Sequence, residues 1–526
     1  MILFPQEQRM SKILRFVLLV GILAFATPIF LAQAANSPAK SSAAERIHHV
    51  DSGIAAIPTK DGLQQLDLSQ LMEAFKVPGL SVAVIDNYKI DWAKGYGVTE
   101  IGGQAPVTTR TLFQAGSISK PVAATGALYL VERGKLSLDE DVNKKLVTWK
   151  VPENEFTKDQ KVTLRRLMSH SAGLTVHGFP GYAVGEPRPT LVQIFNGEKP
   201  ANTAPIRVDF VPGTKSRYSG GGITIEQQLM VDVTGTPFTQ FMHKTVLERI
   251  GMTDSSYEQP LPPDRAALTA TGTYADGKPV PGKWHIYPEM AAAGLWTTPT
   301  DLAKFGIEIA LSKQGKSNRV LSQAMTQEML KPQIDQVGLG FFLGTGKNAD
   351  QFGHNGADEG FQADLVMFSD SGKGMAMMGN SDNFFFVVPY VEDAVAKEYG
   401  WTRPARQHSA GEALVLVAAM KGTQAAMEEF QYLKQAGLSD YKVDEKSLNR
   451  LGYYLLQHNN TDDAIQVFKR NVEEYPQNWN GYDSLGAAYM EAGQKELAIQ
   501  NYEKSVQMNP KNEDGAAMLK KLKEQK

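Results

Sequence analysis

The sequence contains no cysteine, and that absence narrows the chemistry at once. Disulfides, a thiol nucleophile, cysteine–zinc sites and lipid attachment through a cysteine are excluded, while the compartment is left open. A charge excess is also lacking. The 54 Lys and Arg nearly balance the 57 Asp and Glu, so the net charge of −3 gives no pull toward nucleic acid or an anionic membrane surface. The histidines show no His-x-x-x-His spacing, and no metal is expected. Gly220-Gly221-Gly222 precedes a helical stretch but lacks a phosphate-loop lysine and a preceding buried strand, so no nucleotide cofactor is expected. What remains is an ordinary globular composition, 42% hydrophobic and 21% charged, spread over 526 residues and so over two or three domains.

Arg9, Lys12 and Arg15 precede an uncharged apolar run from Phe16 to Ala32, and Ala32-Gln33-Ala34 matches a small-x-small cleavage site. Residues 1–34 are therefore expected to be a secretory signal peptide cut after Ala34, which places the chain in the periplasm or outside the cell. Met10 would give a shorter leader. The alternative is an uncleaved membrane anchor, for which the run is slightly short and interrupted by Pro28. Residues 35–60 are rich in Ala, Ser and Pro and are expected to form a linker.

Apolar spacing predicts a helix over 66–76, then a hairpin of two strands, 79–85 and 90–98, turned at Asp86-Asn87. A helix beginning near Ser117 ends near Gly134. Helices joined by Pro/Gly loops dominate 135–330, and short glycine-punctuated strands return over 338–380. Strands at both ends with helices between them point to an α+β domain over 61–404, in which one sheet is built from the termini and a helical lobe is inserted. From 405 to 526 the chain turns helical. Leu451-Gly452 recurs as Leu485-Gly486, Ala464 as Ala498, Phe468 as Tyr502 and Pro476 as Pro510, each 34 residues on. That period marks tetratricopeptide helix pairs, with repeats at about 445–478 and 479–512, a capping helix over 513–525, and the helices of 410–436 extending the stack.

The chemistry centres on Ala115-Gly116-Ser117-Ile118-Ser119-Lys120-Pro121. Residues three apart share a helix face, so Ser117 and Lys120 point side by side. A serine hydroxyl needs a neighbouring base to become a nucleophile, and a lysine freed of its proton by desolvation or a nearby cation can be that base. The pattern also occurs at Ser37/Lys40 and Ser439/Lys442, in polar stretches, so partners must decide. Three stretches supply them. Arg217-Tyr218-Ser219-Gly220 puts a proton-carrying tyrosine in a glycine-rich loop. Gly353-His354-Asn355-Gly356-Ala357 opens near a strand whose N–H, with that of Ser117, suits an oxyanion. Leu167 to Leu174 carries His170, read as a structural residue beside the site.

Together these stretches resemble the serine β-lactamase-like and penicillin-binding protein family, in its class C and DD-peptidase-related branch. Phe113 to Lys120 resembles the nucleophile motif, Lys135 to Val142 the segment after it, Leu167 to Leu174 the Leu-x-x-His-Thr-Ser-Gly-Leu motif, and Tyr218-Ser219-Gly220 the tyrosine motif. Gly294-Leu295-Trp296 with Asp301-Leu302 is similar to a further block, and the likeness spans about 65–400. It implies Ser117 as nucleophile, Lys120 as general base and Tyr218 as proton relay. His354, Gly356 and Ala357 would hold substrate: His354 in place of the lysine of Lys-Thr-Gly, orienting the relay or binding a carboxylate, and Ala357 completing the oxyanion hole. Two departures, Tyr-x-Gly for Tyr-x-Asn and His-Asn-Gly for Lys-Thr-Gly, weigh against efficient β-lactam hydrolysis.

The expected function is an exported serine hydrolase acting through an acyl-enzyme on an amide or ester, whether a D-amino-acid peptide, an ester or, weakly, a β-lactam. The alternative, from another class, is a low-turnover penicillin-binding-like protein that recruits a partner protein or peptide through its repeats.

Overall fold

The computed structural model describes residues 41–54, 57–60, 62–401, 408–438 and 441–524. The leader expected over 1–34 and the boundary expected at 404–405 lie outside them. No helix among the described residues is long and apolar enough to cross a membrane.

The sheet is assembled from both ends of the hydrolase region. Among the described residues its strands are β1 (Gly79–Asp86), β2 (Lys89–Gly97), β3 (Phe342–Leu343), β4 (Gln351–Asp358), β5 (Phe361–Phe368) and β6 (Lys373–Gly379). They lie in the order β2-β1-β6-β5-β4-β3, every pair antiparallel. The hairpin expected at Asp86-Asn87 is present, with Asn87 and Tyr88 both at positive φ, as the tight turn between two right-twisted strands requires. Of the strands expected over 338–380, the first contributes only the two residues of β3.

Alternation along each strand divides the molecule into two cores. Ala83, Ile85, Leu365 and Met378 face a core shared with the helical lobe and with α3 (Ser119–Glu132). Leu80, Val82, Val84, Met375 and Met377 face the opposite core. That second core is where the sequence reading needs correction. The expected linker of 35–60 is, from Ala43, a helix, α1 (Ala43–Ser52), with Arg46 and Val50 buried. Arg46 donates to both carboxylate oxygens of Asp91 on β2, at 2.7 and 2.8 Å, and Lys94 pairs with Asp51 at 2.7 Å. A stretch poor in large apolar residues is thus held by ion pairs, which composition does not reveal.

The same core runs without a break into the repeats. It includes α2 (Leu68–Ala74), α7 (Phe384–Glu398), α8 (Ala410–Lys421), α9 (Thr423–Ala436), the first repeat α10 (Glu445–Gln457) and α11 (Thr461–Glu474), and the second repeat α12 (Trp479–Glu491) and α13 (Lys495–Met508). The stack closes with α14 (Glu513–Glu524). Between α3 and α7 in chain order lie α4 (Gly220–Thr234), α5 (Met290–Ala293) and α6 (Pro299–Lys313). The periodic residues are the ones that pack: a Cβ on Gly452 would lie 2.4 Å from the ring of Phe468, so helices of one pair approach at Leu-Gly. In α8 every residue from Ala410 to Val417 is buried, as a helix apolar on all sides must be when it is packed on all sides.

Because the repeats and the sheet share one core, damage to either is expected to be felt by both. Leu414→Ala, at a fully buried position of α8, should cost about 2–5 kcal/mol. Calorimetry should show the lower melting temperature in a single transition; a separate early transition for the repeats would contradict a shared core.

Candidate active site

Ser117 does not sit in the helix itself. It occupies a 3-10 turn, Gly116–Ile118, that feeds α3 at Ser119. In a 3-10 turn residues three apart eclipse, which brings Lys120 over Ser117 more directly than an α-helix would. The Lys120 Nζ lies 2.8 Å from Ser117 Oγ, and it donates equally closely to the carbonyl of Ala292 on α5, at 2.8 Å. Lys120 is 2% exposed.

Close approach of two backbones makes this turn possible. Gly116 has φ +49°, and a Cβ there would stand 2.4 Å from the amide nitrogen of Ala357 on β4. From the other side, a Cβ on Gly356 would stand 2.0 Å from the Ala115 carbonyl and 2.8 Å from the Ser117 nitrogen. Any side chain at either position would wedge β4 away from the nucleophile. The turn is also clamped from below. Ala115 N–H donates to the Leu295 carbonyl at 2.9 Å, Leu295 N–H donates to Ser119 Oγ at 2.9 Å, and the Tyr257 hydroxyl donates to the Ser119 carbonyl at 2.8 Å. The block at Gly294-Leu295-Trp296 therefore has a mechanical role: it fixes both the nucleophile turn and the carbonyl that receives Lys120.

Tyr218 precedes the N-terminus of α4, where Ser219 caps the helix by accepting from Gly222 N–H. Its ring centre is 4.9 Å from Lys120 Nζ. Two histidine rings bracket it, His170 at 4.3 Å and His177 at 4.8 Å. His170 adopts φ +57°, and its Nδ1 accepts from the Ser219 N–H at 3.2 Å. Burial first, then the nearby Lys120 charge, pushes its pKa well below the usual histidine value, so it stays a neutral acceptor.

Of the two roles expected of His354, its burial opposes the binding of a carboxylate and leaves that of orienting the relay. Alternation along β4 turns His354 inward and Asn355 outward, and the cleft is lined by Asn355 instead. His354 is 4% exposed, its Nδ1 faces the Asn355 carbonyl, and burial followed by the Lys120 charge pushes its pKa down to about 3. A neutral, enclosed imidazole does not bind a substrate carboxylate as a cation. It stands 6.1 Å, ring to ring, from Tyr218, within the aromatic surround of that residue.

Ser117, Lys120, Tyr218, Gly356 and Ala357 line one cleft of about 510 Å³, together with His177, Phe179, Ala292, Phe342, Asp358 and Phe385. The sequence reading missed His177, Phe179, Phe342 and Phe385. The first two belong to the loop that follows Leu174, which no motif marks. A Cβ on Gly220 would come within 3.1 Å of both the His177 carbonyl and the Phe179 ring. The room an asparagine needs there is taken by that loop, which accounts for Tyr-x-Gly.

Asp358 is buried at the base of the cleft, and burial raises its pKa well above the usual carboxylate range, against the opposing Lys120 charge and a hydrogen bond from the Gly116 backbone. Among the described residues, no group of three or more His, Asp or Glu is arranged to hold a metal ion.

A sheet built from both termini, an inserted helical lobe and a Ser/Lys/Tyr cleft between them define a beta-lactamase-like fold. The beta-lactamase family profile matches residues 67–398, and the chain belongs to that family. A tetratricopeptide repeat profile matches 480–512. A beta-lactamase of Pseudomonas fluorescens is 31% identical over 258 residues, covering 48% of this chain and 65% of the relative. A beta-lactamase of Lysobacter lactamgenus is 29% identical, covering 53% and 64%. The chain thus spans just under two thirds of the length of these relatives. Unguisins hydrolase of Aspergillus violaceofuscus is 23% identical, covering 65% and 67%. Among solved structures, the octameric penicillin-binding protein homologue from Pyrococcus abyssi superposes with a TM-score of 0.52 at 22% identity, over 63% of this chain and 76% of that one.

Glu226, on α4, is fully buried, and neither carboxyl oxygen has a hydrogen-bond partner among the described residues; burial pushes its pKa up to about 8. A pKa raised on folding contributes stability that is present below the unfolded value and lost as pH rises through the folded one. Glu226→Gln is therefore expected to melt higher than the wild type at about pH 9 and to match it near pH 4.5, as followed by circular dichroism. Equal melting temperatures at the alkaline end would show the carboxyl to be hydrated or paired.

Proposed function

We propose that this chain is an exported serine hydrolase that transfers acyl groups through Ser117. The observation that carries the reading is the 2.8 Å contact of Lys120 Nζ with Ser117 Oγ on the floor of the cleft. Ser117 Oγ attacks the substrate carbonyl while Lys120 takes its proton, and the oxyanion forms toward the amides of Ser117 and Ala357. The proton then passes by way of Tyr218 to the leaving nitrogen or oxygen, the C–N or C–O bond breaks, and an ester to Ser117 remains. Water, deprotonated by the same groups, releases the acid and restores the serine.

D-amino-acid peptides, related amides and esters are the favoured substrates, with β-lactams turned over weakly. The absence of an asparagine at Gly220, together with a neutral His354 where a cation would grip a carboxylate, supports that order. The relatives named as beta-lactamases and as a hydrolase support acyl transfer in general. The repeats supply a surface for a peptide or a partner protein, which keeps a second, low-turnover recruiting reading in view. The signal-like leader supports export.

The test is intact mass after incubation of the chain lacking residues 1–34 with a penicillin, beside Ser117→Ala. A stable adduct that disappears in the variant is expected. Lys120→Ala and Tyr218→Phe should slow adduct formation by about 10²–10⁴-fold. No adduct, no penicillin consumption and no Ser117-dependent ester hydrolysis would hand the lead to the recruiting reading.

A further inference from the structure

Two consecutive aromatic residues at the start of α7 face different neighbours. Phe385 lines the catalytic cleft. Phe386 stacks on Phe75 of the hydrolase core at 5.4 Å and packs edge-on against Tyr454 of the first repeat at 5.2 Å. Tyr454 is itself held by the His458 ring at 4.1 Å, and His458 Nδ1 sits 2.7 Å from the Tyr454 carbonyl. The turn that joins the two phenylalanines is tied down at its backbone: Phe385 N–H donates to Gln362 Oε1 at 2.7 Å, and Phe386 N–H to the Asn383 carbonyl at 3.0 Å. A cleft wall and a repeat contact thus share one peptide unit.

We propose that the first tetratricopeptide repeat sets the shape of the substrate cleft in cis, with Tyr454 and Phe386 as positioning residues for the wall residue Phe385. The proposal rests on the hydrolase reading and adds a specificity device to it. The bulk of the group that fits against Phe385 is chosen by where the repeat holds Phe386. Both side chains are partly buried against the same core, and they leave adjacent positions of one helical turn, so a shift of Phe386 is carried to Phe385 through the backbone they share. The repeat is then a part of the active-site scaffold, and anything that moves α10 moves the cleft wall. Other contacts across the same seam point the same way: Lys60 N–H donates to Glu429 on α9 at 3.1 Å, and the Tyr390 hydroxyl to the Glu412 carbonyl on α8 at 3.4 Å.

The test uses the full chain without residues 1–34 and the variants Tyr454→Ala and Tyr454→Phe. Two readouts are needed: hydrogen exchange of the amides of Phe385 and Phe386, and kcat/KM for 4-nitrophenyl acetate against 4-nitrophenyl phenylacetate. In Tyr454→Ala both amides are expected to exchange about fivefold faster or more, on the scale set by one aromatic pair. The phenylacetate-to-acetate preference should shift by a similar factor through KM, with kcat for acetate held. Tyr454→Phe keeps the ring and should restore both readouts. Unchanged exchange, or faster exchange with an unchanged ester preference, overturns the proposal. A wild type without Ser117-dependent turnover overturns the hydrolase reading and the specificity claim with it, whereas normal wild-type turnover with an unshifted preference in Tyr454→Ala overturns this proposal alone. If Tyr454→Ala fails to fold, Phe386→Leu breaks the same contact from the other side and is read by the same criteria.

Discussion

The structure depends on one buried amine. Lys120 Nζ has to lie between Ser117 Oγ and the Ala292 carbonyl, 2.8 Å from each, on a side chain that is almost fully buried. A buried ammonium or amine without partners is costly, so both acceptors are part of the fold as well as of the chemistry. Ala292 is delivered by α5, which Gln227 of α4 holds by accepting from Ala291 N–H at 2.8 Å and donating to the Pro288 carbonyl at 3.1 Å. Ser117 is delivered by the clamped turn at Leu295. The lobe, the sheet and the nucleophile helix therefore meet at a single nitrogen.

That constraint explains the histidines. Three of them, His170, His177 and His354, surround Tyr218 or Lys120, and each has its pKa lowered by burial first and by Lys120 second. Charged imidazoles there would repel the lysine and each other. As neutral rings they pack around Tyr218 without adding charge, His170 accepting from the Ser219 N–H and His354 Nδ1 donating to the Asn355 carbonyl. Burial likewise raises the pKa of Asp358 well above the usual carboxylate range.

Much of this was legible in the sequence. Alternation and glycine punctuation identified the hairpin of β1 and β2, and the 34-residue interval identified the repeats, because both are local periodicities that each residue reports independently. Ser117, Lys120 and Tyr218 stood out because they sit in short motifs. Three features stayed hidden. The helix at 43–52 is secured by the Arg46–Asp91 pair, a contact 45 residues long in sequence. The inward turn of His354 depends on the register of β4, and one residue of slip would have exchanged it with Asn355. Phe342 and Phe385 reach the cleft from β3 and α7, with no motif to mark them.

The repeats raise the question of why a hydrolase would share its core with a binding fold. A tetratricopeptide stack usually needs several units, since each pair buries only one face of its neighbour. Here α7 and α2 supply the missing neighbour for α8, so the hydrolase stands in for further repeats. The back face of the sheet, with Val82, Val84, Met375 and Met377, is covered by α1 and α7. The repeat region is seated in turn on α7, through Phe386 against Tyr454 and the Tyr390 hydroxyl on the Glu412 carbonyl. Its position is therefore fixed by packing against the helix that carries the cleft residue Phe385.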